Sequence, residues 1–130
     1  MASVNDEVSA NARGGTELMG ERLEASLDPD LLSNFQIIRS RVRDLDESKV
    51  RVLWLHDLPD DPESHHLADG GWKKFARLVF VSNWQMQRYI ERYDIPYSKC
   101  VVLQNAINPI EPHEKPTDKI RLAYLSLIHI

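Results

Sequence analysis

The feature that most constrains the fold is residues 50–56, a run of Val-Arg-Val-Leu-Trp-Leu-His. The run is nearly continuous in β-favouring apolar residues, which is typical of a strand buried on both faces of a sheet. Residues 78–81 and 101–103 are two later runs of the same kind, and residues 35–38 are a shorter candidate before them. The chain therefore contains several short buried strands separated by longer segments.

Helical patterns lie between these runs. From Thr16 onward, Met19, Leu23 and Leu27 recur at i, i+4 and i+8, which places them on one face of a helix. Alternating strands and helices are the pattern of a parallel sheet with helices on both faces. We therefore predict an α/β fold, a Rossmann-like parallel sheet with flanking helices, in a single and incomplete domain.

A second helix is predicted directly after residue 81. Ser82 is a favoured N-cap residue, and Gln85 three positions later completes the pattern of a capping box. The apolar stripe of this helix is predicted to consist of Met86, Ile90 and Tyr93.

Length and charge limit the classes of function. The chain has 130 residues, which suits one modest domain, and its net charge of −4 makes neither nucleic acid nor an acidic membrane an expected partner. No apolar run approaches the roughly 20 residues of a transmembrane helix, and the first residues lack the pattern of a signal peptide. The single cysteine, Cys100, fits a reducing compartment. A cytoplasmic protein is expected.

Composition also divides the chain. Residues 1–12 are expected to be an extended or disordered lead, and residues 13–108 the Rossmann-like domain, with the charged residues 39–49 as solvated surface. Residues 109–119 contain three prolines and have the composition of a linker. Residues 120–125 look like a new strand, which predicts the start of a truncated second domain over residues 120–130. Whether residues 126–130 are native stays open.

A pair of glycines, Gly14 and Gly15, leads directly into the first helix. Adjacent glycines allow φ above zero and let another molecule approach the backbone without a Cβ in the way. The following helix start offers unpaired N–H groups and the positive end of the helix dipole, which suit a phosphate or diphosphate. The alternative is a flexible turn ahead of a helix.

Polar residues follow each of the later strand candidates. His56 and Asp57 end the first run, Ser82 follows the second, and Asn105 follows the third. In open parallel sheets, ligands bind outside the carboxyl ends of the strands. We therefore expect these side chains to face one crevice.

Four ordered motifs resemble the amino-terminal half of the retaining glycosyltransferases of family 4, which use the two-Rossmann-domain B-type architecture. The resemblance covers roughly residues 13–126. Ala106 stands where that family commonly has a glycine, and residues 1–12 supply no convincing strand before the paired glycines. The motifs are Gly14-Gly15-Thr16-Glu17, the Leu-Trp-Leu-His-Asp of residues 53–57, the Phe-Val-Ser-Asn-Trp of residues 80–84 and the Gln-Asn-Ala-Ile of residues 104–107.

The resemblance implies transfer of a sugar from a nucleotide-sugar donor to an unknown glycan, lipid or small-molecule acceptor. Donor binding falls on Gly14, Gly15 and Thr16 near the diphosphate, and on Asn105 near the interdomain cleft. His56 matches a histidine near the transferred sugar and is the predicted catalytic residue. No cofactor or metal is implied. The second domain, missing in cis, would supply most of the donor-binding groups, so the fragment alone is expected to be inactive.

The acceptor side is predicted to include Asp57, Ser82 and Trp72. Trp72 is flanked by Gly70-Gly71 and Lys73-Lys74, which favours an exposed ring that stacks on an acceptor. Ser82 has a simpler reading as a helix cap alone. Trp54 and Trp84 are expected in the core rather than as stacking platforms.

Two further alternatives stay open. His56 could be a structural histidine that is hydrogen-bonded to loop backbone, and the chain could be a non-catalytic nucleotide- or phosphate-binding α/β module. His65 and His66 lie near several aspartates, but adjacent histidines point in different directions, so a metal site is not expected there.

Overall fold

The computed structural model describes residues 4–5, 15–39, 42 and 44–123, of which residues 4–5 and 15–17 are described by their backbone alone. Within this part of the chain, five strands form a parallel sheet whose spatial order follows the chain order. The strands are β1 (Val4–Asn5), β2 (Phe35–Ile38), β3 (Val50–Leu55), β4 (Arg77–Phe80) and β5 (Cys100–Val102). The α/β fold, the parallel sheet and the last four strands are as predicted. β1 is a strand that the sequence did not predict convincingly.

The helices flank this sheet. They are α1 (Gly15–Ser26), α2 (Pro29–Ser33) and α3 (Asn83–Tyr93), with a 3₁₀ segment at Pro62–Lys74 and a 3₁₀ turn at Tyr97–Lys99. Asp28 caps α2 by accepting a hydrogen bond from the Asp30 N–H at 2.8 Å, and Pro29 occupies its first turn. Among the described strands the order never reverses, so topology by itself marks no crevice in this sheet.

Most of the core lies on one face of the sheet. Leu53 and Leu55 point to this face because alternate residues of a strand share a side. They pack with Leu78 and Phe80 of β4 and with the buried face of α3. Trp54, between the two leucines, points to the other face, where residues of α1 lie beside it. Helices therefore cover both faces of the sheet, as the alternation of strands and helices predicted.

The segment after β3 differs from the prediction. The composition of residues 57–71, which are rich in aspartate, proline, glycine and histidine, predicts a loop. Instead, Pro62–Lys74 forms 3₁₀ turns that break at Ala68, Asp69 and Gly70. The Asp61 side chain caps the segment by accepting from the Glu63 N–H at 2.9 Å. Leu67 anchors it because its side chain is fully buried in the core. Asp69 and Gly70 have φ of 54° and 78°, the left-handed region in which the chain reverses.

Helix α3 forms as predicted from Ser82 onward. Ser82 accepts a hydrogen bond from the Gln85 N–H at 3.1 Å, and α3 ends at Asp94 in the left-handed conformation. The return bond of the capping box is displaced by one residue, because the Gln85 side-chain oxygen accepts from the Val81 N–H at 2.8 Å. The predicted stripe is confirmed: Met86 and Tyr93 are buried, and Ile90 is partly buried and packs against the core. Tyr89 is buried with them.

One surface prediction is wrong. Arg39, expected on solvated surface, is 6% exposed, and Val42 and Leu45 of the same charged stretch pack against the core. The strand expected from residue 120 does not form over the described residues 120–123, where Ile120 is 91% and Leu122 is 94% exposed. A strand needs a neighbour for its backbone hydrogen bonds, and none lies beside these described residues. Residues 124–125 lie outside the described residues.

Residues 103–123 have no regular secondary structure and are exposed, including the predicted linker 109–119. Among the described helices, none is long and apolar enough to cross a bilayer.

Candidate functional site

Three strands end side by side at one edge of the sheet. Leu55 pairs with Phe80, and Phe80 pairs with Val102, so these residues mark the same level of β3, β4 and β5. The Leu103 N–H donates to the Phe80 carbonyl at 2.8 Å, which extends the alignment past the end of β5. Neighbouring strands lie about 4.8 Å apart, so the ends of β3 and β5 are about 10 Å apart. The loops that begin with His56, Val81 and Leu103 therefore share this edge.

His56 lies directly after β3 on the same face as Trp54. The two rings are tilted by 55°, and their centroids are 4.5 Å apart. Trp54 is 5% exposed, so the half-buried His56 ring rests against a fixed indole. The structure places His56 where the sequence predicted, and its catalytic role stays a prediction.

The Gln85 side chain ties the loop after β3 to the start of α3. Its amide nitrogen donates to the Leu55 carbonyl at 3.2 Å and to the Asp57 carbonyl at 2.8 Å. These two carbonyls flank His56 in the chain, so the His56 backbone is held on both sides. The sequence around Gln85 indicates only a capping role, because no local pattern indicates a hydrogen bond to a residue 30 positions away.

The Tyr89 hydroxyl adds a second tie. It donates to the Asp57 carbonyl at 3.0 Å and lies 2.7 Å from the Ser64 hydroxyl in a buried position. Burial raises the pKa of Tyr89, because a charged phenolate would lose its hydration there. Tyr93 ties the next part of the loop by donating to the Pro59 carbonyl at 2.8 Å. The loop that follows His56 and Asp57 is thus fixed to α3 at several points.

Ser82 lies at this same edge as the cap of α3. Its hydroxyl oxygen is occupied by the Gln85 N–H, which supports the simpler reading of Ser82 as a cap. A contact with an acceptor is still a prediction for both Ser82 and Asp57.

A cavity of about 470 Å³ opens beside this edge, on the face that Trp54 occupies. Its volume falls within the range of roughly 300–1,000 Å³ that is usual for small-molecule sites. The predicted residue Asn105 is part of its wall. The lining consists of Trp54, the segment 103–108 and five residues of α1, namely Met19, Arg22, Leu23, Ala25 and Ser26.

Arg22 is a site residue that sequence analysis missed. Its Nη1 donates to the Ala106 carbonyl at 3.4 Å, a long bond between α1 and the segment that follows β5. The available signal was its spacing: Arg22 is three residues after Met19, so the two side chains are neighbours on the surface of α1.

The Trp54 side chain lines the same wall, while its Nε1–H is buried out of reach of solvent. Among the residues that the structure describes, its Nε1–H has no hydrogen-bond partner. An unsatisfied buried donor costs roughly 1–3 kcal/mol, and a buried indole N–H usually finds a partner.

The glycine pair is only partly described. Gly15 and Thr16 form the first turn of α1, as predicted for a helix that opens at the glycines. Gly14 lies outside the described residues. The contact of these residues with a diphosphate stays a prediction.

Trp72 lies in a different cavity from Asn105. That cavity, of about 700 Å³, also contains Tyr93 and Asp94 from the carboxyl-terminal end of α3. Because α3 begins at the edge where His56 lies and runs back along the sheet, its far end marks the opposite edge. Lys73 Nζ lies 5.6 Å from the centre of the Trp72 ring. The structure does not bring Trp72 together with His56, and its acceptor role stays a prediction.

Trp84 is not in the core, contrary to the prediction. It is 57% exposed on the first turn of α3, and the Arg88 guanidinium lies 5.4 Å from the centre of its ring. The side of α3 that faces the core is filled by Gln85, Met86 and Tyr89 instead.

No protein-family model, curated protein or solved structure matches the chain. Among the described residues, no cluster of three histidine, cysteine or acidic side chains could hold a metal ion. What stands is a small α/β domain with a parallel sheet and a cavity beside the carboxyl edge of that sheet.

Proposed function

We propose that this chain is the amino-terminal, acceptor-side half of a retaining glycosyltransferase that uses a nucleotide-sugar donor. One observation carries most of the weight: three of the ordered motifs follow three neighbouring parallel strands, and all three strands end at the same edge. His56, Ser82 and Asn105 are the polar residues that these motifs supply there. A cavity of ligand size lies beside that edge, and of these three residues Asn105 lines it, while His56 and Ser82 do not.

The chemistry requires charge stabilisation more than it requires a nucleophile from this domain. Breaking the bond between the sugar and the phosphate leaves negative charge on the departing diphosphate. Backbone N–H groups at the start of a helix can stabilise that charge, and α1 starts at Gly15. One such donor contributes roughly 3–4 kcal/mol to the transition state. The remaining cations would come from the second domain, so the 130-residue chain alone is expected to be inactive.

The second candidate is a non-catalytic module that binds a nucleotide or phosphate. Two observations favour it. His56 is packed against Trp54, which suits a structural histidine. In the described part of the chain, the cavity is lined by one cation, Arg22, and by no carboxylate that could act as an acid or base.

Calorimetry on the 130-residue chain tests whether, as proposed, most of the donor-binding contacts lie in the second domain. We expect millimolar or undetectable affinity for a panel of uridine-, guanosine- and adenosine-diphosphate sugars, because most donor contacts lie in the absent domain. Tight micromolar binding would contradict the placement of most donor contacts in the second domain, and it would favour the second candidate function.

Catalysis is tested in the longer protein that the proposal requires, made from the reading frame that continues this chain. The His56→Ala variant should lower kcat by about 100-fold or more, as loss of a positioned catalytic group does. His113→Ala is the matched control, since His113 lies exposed in the segment without regular structure. Equal turnover of both variants would show that His56 has no catalytic role. Nucleotide binding without any sugar release would support the module instead.

A further inference from the structure

We infer that the cavity between α1, Trp54 and residues 103–108 binds a small molecule with an apolar body and an anionic group, such as an aryl phosphate. The binding itself does not depend on glycosyl transfer. That this ligand is the sugar acceptor rests on the proposed function.

Apolar side chains make up the body of this cavity. Met19 and Leu23 line it from α1, and Trp54 lines it from the sheet. Leu103 and Ile107 complete the apolar part, although they are 49% and 64% exposed. Covering such side chains with an apolar ligand removes their surface from water, which is favourable in proportion to the area buried. A sugar, with hydroxyl groups around its ring, would cover them poorly.

Arg22 determines the charge of the ligand. It is the charged residue of the described lining, and no carboxylate lies in that lining to neutralise it. Its bond to the Ala106 carbonyl is long, at 3.4 Å, and uses one of five N–H donors. A guanidinium fork matches a phosphate or carboxylate in a two-point contact. The lining therefore selects an anion over a neutral molecule of the same shape.

Two amide side chains of the lining add to this preference. Asn105 and Asn108 place amide groups in the same lining, where they can contact the remaining oxygens of an anionic group.

Tryptophan fluorescence gives a direct test on the 130-residue chain. The Trp72→Phe and Trp84→Phe changes together leave Trp54 as the reporter, because the other two tryptophans lie outside this cavity. The probes are phenyl phosphate, inorganic phosphate and benzyl alcohol. We expect saturable quenching by phenyl phosphate, and binding about tenfold weaker for each of the other two, since each lacks one half of the recognised molecule.

Arg22 variants in this background separate charge recognition from simple apolar binding. Arg22→Ala should weaken phenyl phosphate binding by about tenfold and leave benzyl alcohol binding unchanged. Arg77→Ala is the matched control, because Arg77 is exposed at the start of β4 and lines none of the cavities described above. If Arg22→Ala fails to fold, as judged by circular dichroism, Arg22→Lys should give an intermediate loss, since it keeps the charge without the fork.

The inference is overturned if phenyl phosphate binds no more tightly than inorganic phosphate, or if the Arg22 and Arg77 variants bind it equally. Neither result would contradict sugar transfer by the longer protein. The acceptor of that protein would then belong to another chemical class. Conversely, absence of sugar transfer would leave the binding site standing as an anion site of the second candidate.

Discussion

Single side chains of α3 hold the residue on which the proposed chemistry depends. The Gln85 amide bonds the carbonyls on either side of His56, and the Tyr89 hydroxyl bonds one of them again. Because the Leu55 carbonyl accepts one of these hydrogen bonds and the Asp57 carbonyl accepts two, the backbone of His56 between them has little freedom to move. His56 is therefore positioned from the opposite face of the sheet, while its ring rests on Trp54.

Removing the Tyr89 hydroxyl tests this arrangement at the residue scale. Tyr89→Phe should lower the free energy of unfolding by roughly 1–3 kcal/mol, because it leaves a buried Ser64 hydroxyl without its 2.7 Å partner. The measurement is urea unfolding at neutral pH. Tyr97→Phe is the matched control, since Tyr97 is 70% exposed, and a similar loss in that control would contradict the assignment.

The same variant has a pH signature. Burial raises the pKa of Tyr89 above its ordinary value of 10.0, so the unfolded chain loses this proton before the folded chain does. Stability due to Tyr89 is thus complete at neutral pH and declines as the pH rises above about 10. Tyr89→Phe should therefore show a smaller loss of stability between neutral pH and about pH 10.5 than the parent chain does.

At the scale of elements, the turn at the end of the 3₁₀ segment depends on Gly71. A Cβ there would lie 1.8 Å from the carbonyl oxygen of His66, closer than any real contact. Gly71→Ala should therefore destabilise the fold by about 3 kcal/mol or more, because backbone must move to make room. Thermal unfolding followed by circular dichroism measures the effect.

Gly70→Ala serves as the comparison for Gly71→Ala. The space around Gly70 is open apart from the Lys73 side chain, but its φ of 78° disfavours alanine. That change should cost only about 1–2 kcal/mol. If the two variants lose the same stability, the close approach of the His66 carbonyl is not what matters.

The elements that could be predicted from sequence are those with a local cause. The β3 run is apolar except for Arg51, and Ser82 with Gln85 marks the start of α3, so both were located within a residue. The 3₁₀ segment was missed because its turns depend on Leu67 reaching the core, which no periodic pattern reports. The strand expected from residue 120 is absent over the described residues 120–123, because apolar alternation indicates the preference for a strand but not the presence of a neighbour.

The candidate site was also predictable only where the cause is local in the sequence. Residues that follow buried parallel strands must share an edge, which located His56, Ser82 and Asn105. Arg22 and the cavity were missed because the cavity is lined by α1, Trp54 and residues 103–108, which are distant from one another in the chain. Trp72 was grouped with the acceptor side by its glycine and lysine neighbours, which say nothing about the edge at which it lies.

On the scale of the whole molecule, the described chain consists of an ordered body and an exposed segment. Limited trypsin digestion should cut first after Lys119 and Arg121, which are exposed and outside regular structure. The product should keep the stability of the parent within about 0.5 kcal/mol, since these residues add no described packing. Lys99 is the internal control, because its Nζ donates to the Phe75 carbonyl at 2.8 Å. Cleavage after Lys99 at the same rate would show that the body itself opens.

The sheet order has a consequence for how this molecule acquires its shape. Phe35 pairs with Val50, Val52 with Arg77 and Leu78 with Cys100, so each of these three pairings closes a loop of about 15–25 residues. Every strand docks on the strand made just before it, and none has to wait for a later one to be inserted between. A nascent chain can therefore add one strand at a time as it leaves the ribosome. The loops that carry His56, Ser82 and Asn105 would then meet in that order, with the cavity closing last.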